Sequence, residues 1–229
     1  YQMANDFPEL TPEIIAELKT KHPGRPLFSV EIQGMKFVFT YLTQKDAIEL
    51  SKWTQENPNA IIQELDEKIV SIGLLWPELT PMQWMTVPAG VMPAVSRAIQ
   101  EKSLMDVGAQ ESGVSATVVT LVDFAEQDKP ADEDLEKIKK AVPHPLRLVS
   151  VCGGWYVVRP IMRLEFNTIR NKASADTSLD LDQEMSKVCT VFPKDVNWDA
   201  IPAGVASALS KQIVDMSGFN DNAAVVSEL

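Results

Sequence analysis

Trp84-Met85-Thr86-Val87-Pro88-Ala89-Gly90-Val91 recurs as Trp198-Asp199-Ala200-Ile201-Pro202-Ala203-Gly204-Val205, at an offset of 114 residues. The match runs on at the same offset. Ala94 falls on Ala208, Ser96 on Ser210, Arg97 on Lys211, Ile99 on Ile213 and Ser103 on Ser217. Upstream, Leu75-Trp76-Pro77 answers to Val191-Phe192-Pro193 at offset 116, with Asp66 on Asp182 and Ile72 on Val188. Phe28-Ser29-Val30 answers to Val149-Ser150-Val151 at 121 and Gly34 to Gly154 at 120. A drifting offset is what small insertions in loops produce. The reading is an internal duplication of a single-domain-sized module, since the period is far too long for a solenoid of short repeats.

The local signals repeat in the same order. Thr11 and Pro12 suit the N-cap and first position of a helix striped by Ile14, Ile15 and Leu18, ending before His22-Pro23-Gly24-Arg25-Pro26. Phe28, Val30 and Ile32, then Phe37, Phe39 and Tyr41, alternate with other residues at period two, which predicts a hairpin turning near Gln33-Gly34. Thr43-Gln44-Lys45-Asp46 is a capping-box variant for a helix to about Trp53. Asn57-Pro58 reads as the next start, followed by Ile61, Leu65, Ile69, Ile72 and Trp76 at helical spacing until Pro77. A proline-rich loop then leads to a last helix through Val91, Val95, Ala98 and Ile99, with Pro93 expected in its first turn.

In the second half, Pro130-Ala131-Asp132 opens a helix through Leu135, Ile138 and Val142, and His144-Pro145 repeats His22-Pro23. A hairpin is expected to turn at Gly153-Gly154, with Trp155 and Val157 on its return. A shortened helix follows over Leu164 to Ile169. Further stripes run through Leu181, Met185, Val188 and Phe192, then Val205, Leu209, Ile213 and Met216, closed by Ser217-Gly218-Phe219. Val118 to Phe124 is apolar and fits a strand or a helix turn equally. The expected fold is α+β: two homologous, mainly helical domains, each with one antiparallel β-hairpin. Residues 1–105 are the first repeat, with one helix, the hairpin and three more helices. Residues 106–129 are the linker, and 130–229 the second repeat with a C-terminal tail.

Composition narrows the function. The chain is 45% hydrophobic and 23% charged, with apolar material for two cores. A net charge of −11 and a pI near 4.7 oppose nucleic acid as a partner, because an acidic surface is repelled by phosphates. The polar start Tyr1 to Asp6 does not read as a signal peptide. The apolar stretch Leu74 to Val95 is broken by Glu78 and four prolines and cannot span a membrane.

Chemistry-bearing residues are sparse. The two histidines, His22 and His144, have no metal-ligand spacing. Cys152 and Cys189 read as buried thiols in a reducing cytoplasm, with no histidine nearby in sequence to activate them. The acidic pairs Asp66-Glu67, Asp132-Glu133-Asp134 and Asp180-Asp182 suit helix starts or solvated faces. No phosphate-binding glycine loop occurs. The expectation is a protein without catalytic, cofactor or metal sites. Its best contact candidates are the stiff loops Pro77 to Val87 and Pro193 to Ile201 and the tail from Gly218, displaying Met82, Trp84, Met85, Trp198 and Phe219. The first loop, richer in Met and Trp, is expected to contribute more, with Trp198 nearer a core role; the other reading of both tryptophans is packing over the loop before the last helix, with Pro-Ala-Gly-Val starting that helix.

The order of Phe37-x-Phe39-x-x-Leu42-Thr43-x-Lys45, Leu75-Trp76-Pro77, Pro-Ala-Gly-Val and Ser217-Gly218-Phe219 resembles small tail and baseplate proteins of tailed bacteriophages. The doubling, and Ser103-Leu104-Met105 in place of Ser-Gly-Phe, depart from that pattern. The resemblance implies a non-enzymatic virion structural protein, assembled in the host cytoplasm. It would contact other tail or baseplate proteins in several copies of a symmetric assembly, without nucleic acid, membrane or small-molecule substrate. A tail-assembly chaperone absent from the virion is the alternative. A thiol-dependent or hydrolytic enzyme on Cys152 or Cys189 is the third.

Overall fold

A computed structural model describes residues 7–105, 116–176 and 179–219. The fold is mixed α+β, and the chain divides into one unit over residues 1–125 and another over 126–229. No helix among the described residues is long and apolar enough to cross a membrane.

The first unit opens with α1 (Pro12–Lys21), whose N-cap Thr11 accepts the Ile14 N–H through Oγ1. β1 (Leu27–Ile32) and β2 (Met35–Phe39) form the expected hairpin. Gln33 and Gly34 occupy its turn with φ of 53° and 82°, the left-handed pair that matches strand twist. α2 (Gln44–Glu56) carries the expected capping box, Asp46 Oδ2 taking the Thr43 N–H and Thr43 Oγ1 taking the Asp46 N–H. The next start is not Asn57-Pro58. Asn57 closes α2, its Nδ2 donating to Trp53 C=O, and α3 (Ile62–Gly73) begins later with Ile61 as N-cap.

α3 also stops early. Residues 74–76 leave the helix as β3 (Leu74–Trp76), which pairs with β2. After the short α4 (Pro81–Trp84), α5 (Val91–Lys102) holds Pro93 in its first turn, where no N–H is needed. β4 (Ala116–Val122) resolves the ambiguous apolar stretch as a strand antiparallel to β1, giving the sheet order β3-β2-β1-β4. The assignment of 106–129 to a linker is corrected accordingly, since 116–122 is an integral strand of the first sheet.

One face of this sheet meets α3 and α5 through Phe28, Val30, Ile32, Phe37 and Phe39, packed on Ile69, Val95 and Ile99. Gly73 permits the close approach: a Cβ there would lie 2.7 Å from Ile99 Cγ2. The other face is covered near Leu27 and Val38 by Leu18 and Ile14 of α1, so β2 is buried on both sides. The alternation had suggested one buried face only.

The second unit comprises α6 (Asp132–Ala141), β5 (Arg147–Val151), β6 (Gly154–Val158), α7 (Arg163–Ala175), α8 (Leu181–Cys189), β7 (Thr190–Phe192) and α9 (Ala203–Met216), with sheet order β5-β6-β7. Its hairpin turns one residue earlier than Gly153-Gly154. Cys152 and Gly153 hold φ of 49° and 73°, while Gly154 pairs with Val151. The register Ile32↔Met35 therefore corresponds to Val151↔Gly154, an offset of 119 against the 120 and 121 of the residue match. This offset places His144 on Arg25, so the two histidines are not counterparts. α7 is thirteen residues long, as α2 is, and not the short helix expected. α9 starts two residues before the α5 counterpart, where Ala203 has no proline four positions on.

Charge and serine contacts tie the second unit together. Arg159 grips Glu165 in a two-pronged pair, 2.9 and 2.7 Å, which holds that carboxyl below its usual range. Glu165 Oε2 also takes the Met162 N–H at the start of α7. Ser217 Oγ accepts the Ile161 N–H and donates to Ile213 C=O, and in the first unit Ser103 does the same for Leu42 and Ile99. The last helix is thereby fastened to the chain leaving the hairpin. Both Trp76-Pro77 and Phe192-Pro193 are cis.

Ser103→Ala strands a buried N–H and is expected to lower stability by about 1–3 kcal/mol. Ser217→Ala, half-buried, should fall at the low end of that range. Urea denaturation checks both, and unchanged midpoints would show that the serines are not the fastening.

Candidate interaction surface

The loop from Pro77 to Gly90 is built around one turn of helix. Thr80 Oγ1 accepts the Gln83 N–H at 3.3 Å while Gln83 Oε1 accepts the Thr80 N–H at 2.8 Å, with Pro81 in the first helical position. Further backbone bonds run from Trp84 N–H to Thr80 C=O, Met85 N–H to Pro81 C=O and Val87 N–H to Trp84 C=O. The result is a short, internally satisfied scaffold.

Its side chains divide sharply. Trp84 is half-buried, stacked on Phe37 with centroids 6.0 Å apart and planes 9° apart. Phe37 in turn meets Phe7 at 5.2 Å. Trp84 thus takes the packing reading and not the displayed one: the indole anchors the turn to the core on the flat apolar ring of Phe37 in β2. Met82 and Met85, 80% and 86% exposed, are what the turn presents.

The corresponding stretch of the second unit, residues 193–202, has no helix. Val196, Trp198 and Ile201 all pack against the core, and none is among the exposed large hydrophobic residues. Phe219, 53% exposed, leans on Phe166 of α7 with centroids 5.0 Å apart. It follows a helix end in which Gly218 is left-handed at φ 78° and the Phe219 N–H reaches back to Val214 C=O. Leu104 takes the same left-handed place in the first unit. The five sequence-selected residues therefore separate into two exposed methionines on one turn, two tryptophans set into cores, and a phenylalanine at a helix end. The rest of the tail, 220–229, lies outside the described residues.

Other exposed apolar residues escaped the sequence reading. Ile61, placed in the helical stripe by spacing, is 58% exposed, and Ile62 beside it 59%. The signal was Glu64, whose carboxylate takes the Ile61 N–H and marks Ile61 as the residue before the helix. Leu164, 78% exposed, sits in the first turn of α7.

Among the described residues no group of three or more His, Cys, Asp or Glu side chains could hold a metal ion. Cys189 lies under α9, buried, and burial pushes its thiol up to about 11, against a smaller downward pull from Arg159. Asp182 is held by Ser207 and Ser210 hydroxyls at 2.6 and 2.8 Å, as a structural acceptor between α8 and α9. A groove of about 600 Å³ on the outer face of the first sheet is lined by Leu10, Ile15, Glu31, Lys36, Thr117 and Val119, a mixed surface without convergent polar groups. Protein-family models, curated proteins and solved structures contain no match to this chain.

Two outcomes follow from this geometry. Trp84→Ala should destabilise the protein by about 2–4 kcal/mol, below the full cost for a wholly buried aromatic. Met82→Ser and Met85→Ser should each stay within about 0.5 kcal/mol of the parent. Thermal or urea unfolding separates them, and a methionine change as damaging as the tryptophan change would refute the division. With a thiol reagent at pH 8, Cys189 should stay unmodified until the protein is denatured, because its thiolate is scarce and covered. Rapid native labelling at Cys189 would overturn that.

Proposed function

We propose that this chain is a structural protein of a phage tail or baseplate, acting through protein–protein contacts and built from one module used twice. The observation that carries the contact reading is the capped turn of α4. It holds two nearly fully exposed methionines on a base stacked into the core. A flexible apolar side chain on a rigid base loses little conformational freedom on docking and adapts to a partner's shape.

The doubling is supported by detail beyond the sequence offset. Apart from the short α4 and from β4 in the first unit, both units run helix, hairpin, two helices, short strand and last helix. Both hairpins use a left-handed pair at the turn, and both last helices end in a serine bonded to the chain leaving the hairpin. The phage assignment itself rests on the motif resemblance, together with a surface whose chemistry suits docking better than catalysis.

Mass spectrometry of purified particles from the source phage is the test. The chain is expected at fixed stoichiometry in mature virions. Its absence there, with abundance in infected cells, would replace this reading by the assembly chaperone. Met82→Ser with Met85→Ser is expected to lower its incorporation at least tenfold without changing its own stability.

A further inference from the structure

The two sheets differ in one strand. In the first unit β1 is an interior strand, paired on its far side with β4 from Ile32↔Ala116 to Leu27↔Val122. In the second unit β5, its counterpart at offset 119, pairs only with β6 among the described residues. The Gln127 N–H bonds Gly153 C=O at the tip of that hairpin. The side chains register the difference. Val30 and Ile32 are fully buried, whereas Val149 and Val151 are only half-buried. Phe28 is 1% exposed, whereas Arg147 in its place turns to Gln212 and Asp215 of α9. An edge strand whose outward N–H and C=O groups have no strand partner among the described residues, and whose valines are half-covered, is a template for another strand.

The chain carries a second copy of the strand that fills this place. Ala116-Thr117-Val118-Val119-Thr120-Leu121-Val122 is answered by Ala223-Ala224-Val225-Val226-Ser227-Glu228-Leu229. Three residues are identical and one exchanges hydroxyl for hydroxyl. Carrying the β1–β4 register across sets Ala223 against Val151, Val225 against Val149, Val226 against Leu148 and Ser227 against Arg147. Val118 packs on the first core, so Val225 would cover Val149 from the same side.

Reach decides whose strand it is. Ten residues, 106–115, separate Met105 from β4, but only three, 220–222, separate Phe219 from Ala223. Those four steps extend at most about 14 Å. The end of α9 is held at the Arg147 end of β5. The strand has to begin at the Val151 end, about 13 Å along the sheet from Arg147. A connection of three residues where the first unit has ten favours exchange between copies. We propose that the β5 edge is the docking site for residues 223–229 of a second copy of this chain. The self-association it produces is independent of the particle the protein serves.

The test is the mass of the protein in solution by light scattering across a concentration series. The full chain is expected to associate, with at least a doubling of mass as concentration rises. A chain ending at Phe219 should return to the mass of one copy. So should a Val225→Pro chain, which removes a ladder N–H while keeping the full length. Inserting seven residues between Asn222 and Ala223 restores the ten-residue connection and should also give single copies, because the strand can then reach its own β5. A full chain of single-copy mass at every concentration overturns the proposal, as does association that survives both the truncation and Val225→Pro. Association unchanged by the insertion removes the short connection as its cause and overturns the exchange.

Discussion

Each unit depends on burying one face of a two-stranded ribbon beneath its last helix. An isolated hairpin is marginal in water, so the ribbon has to be covered to persist. In the first unit Phe28, Val30, Ile32, Phe37 and Phe39 supply that face, and α5 lays Val95 and Ile99 on it. Burial of side chains of this size contributes about 1.5–3 kcal/mol each, far more than any surface ion pair here. In the second unit Tyr156 and Val158 meet Val205, Leu209 and Ile213 of α9 in the same way. The serine at the end of each last helix then fixes where along the ribbon the helix stops, by accepting an N–H from the chain as it leaves the strands.

Once that packing is set, the ends of neighbouring helices are drawn into the sheet. The Thr40 N–H bonds Gly73 C=O, and the Arg159 N–H bonds Cys189 C=O. These bonds lie where α3 and α8 finish and β3 and β7 begin. Leu74–Trp76 and Thr190–Phe192 continue a helical spacing in sequence, yet pairing with β2 and β6 satisfies their backbone as strands. Local periodicity and tertiary hydrogen bonding compete at such junctions, and the available sheet edge wins.

The same competition sets what the surface offers. Proline and a capping box stiffen the α4 turn, but stiffness does not say which side chain faces out. Trp84 goes inward because Phe37 presents a parallel ring, and Met82 and Met85 are left outside by the geometry of that stack. In the second unit no such turn forms, and Trp198 settles with Val196 and Ile201 on the core. Two similar sequences therefore produce one loop that displays methionine and one that displays no large apolar side chain among its residues.

Features determined by neighbouring residues were legible in the sequence. Thr11-Pro12 and Thr43-x-x-Asp46 place helix starts, Gln33-Gly34 places a turn, period two marks the strands, and Pro93 sits in a first turn, because each is decided within a few bonds along the chain. The α+β class and the order of the hairpins and longer helices followed from these. The pairing of 116–122 with β1, the strand ends of α3 and α8, the true hairpin offset and the inward turn of Trp84 were decided only by the tertiary structure. Each depends on a partner distant in sequence: a ladder of N–H and C=O groups, or an aromatic face. Spacing along a chain carries no information about which of two apolar faces such a partner will cover. The exposure of Met82 and Met85 was settled in the same way, by the contacts their neighbours made first.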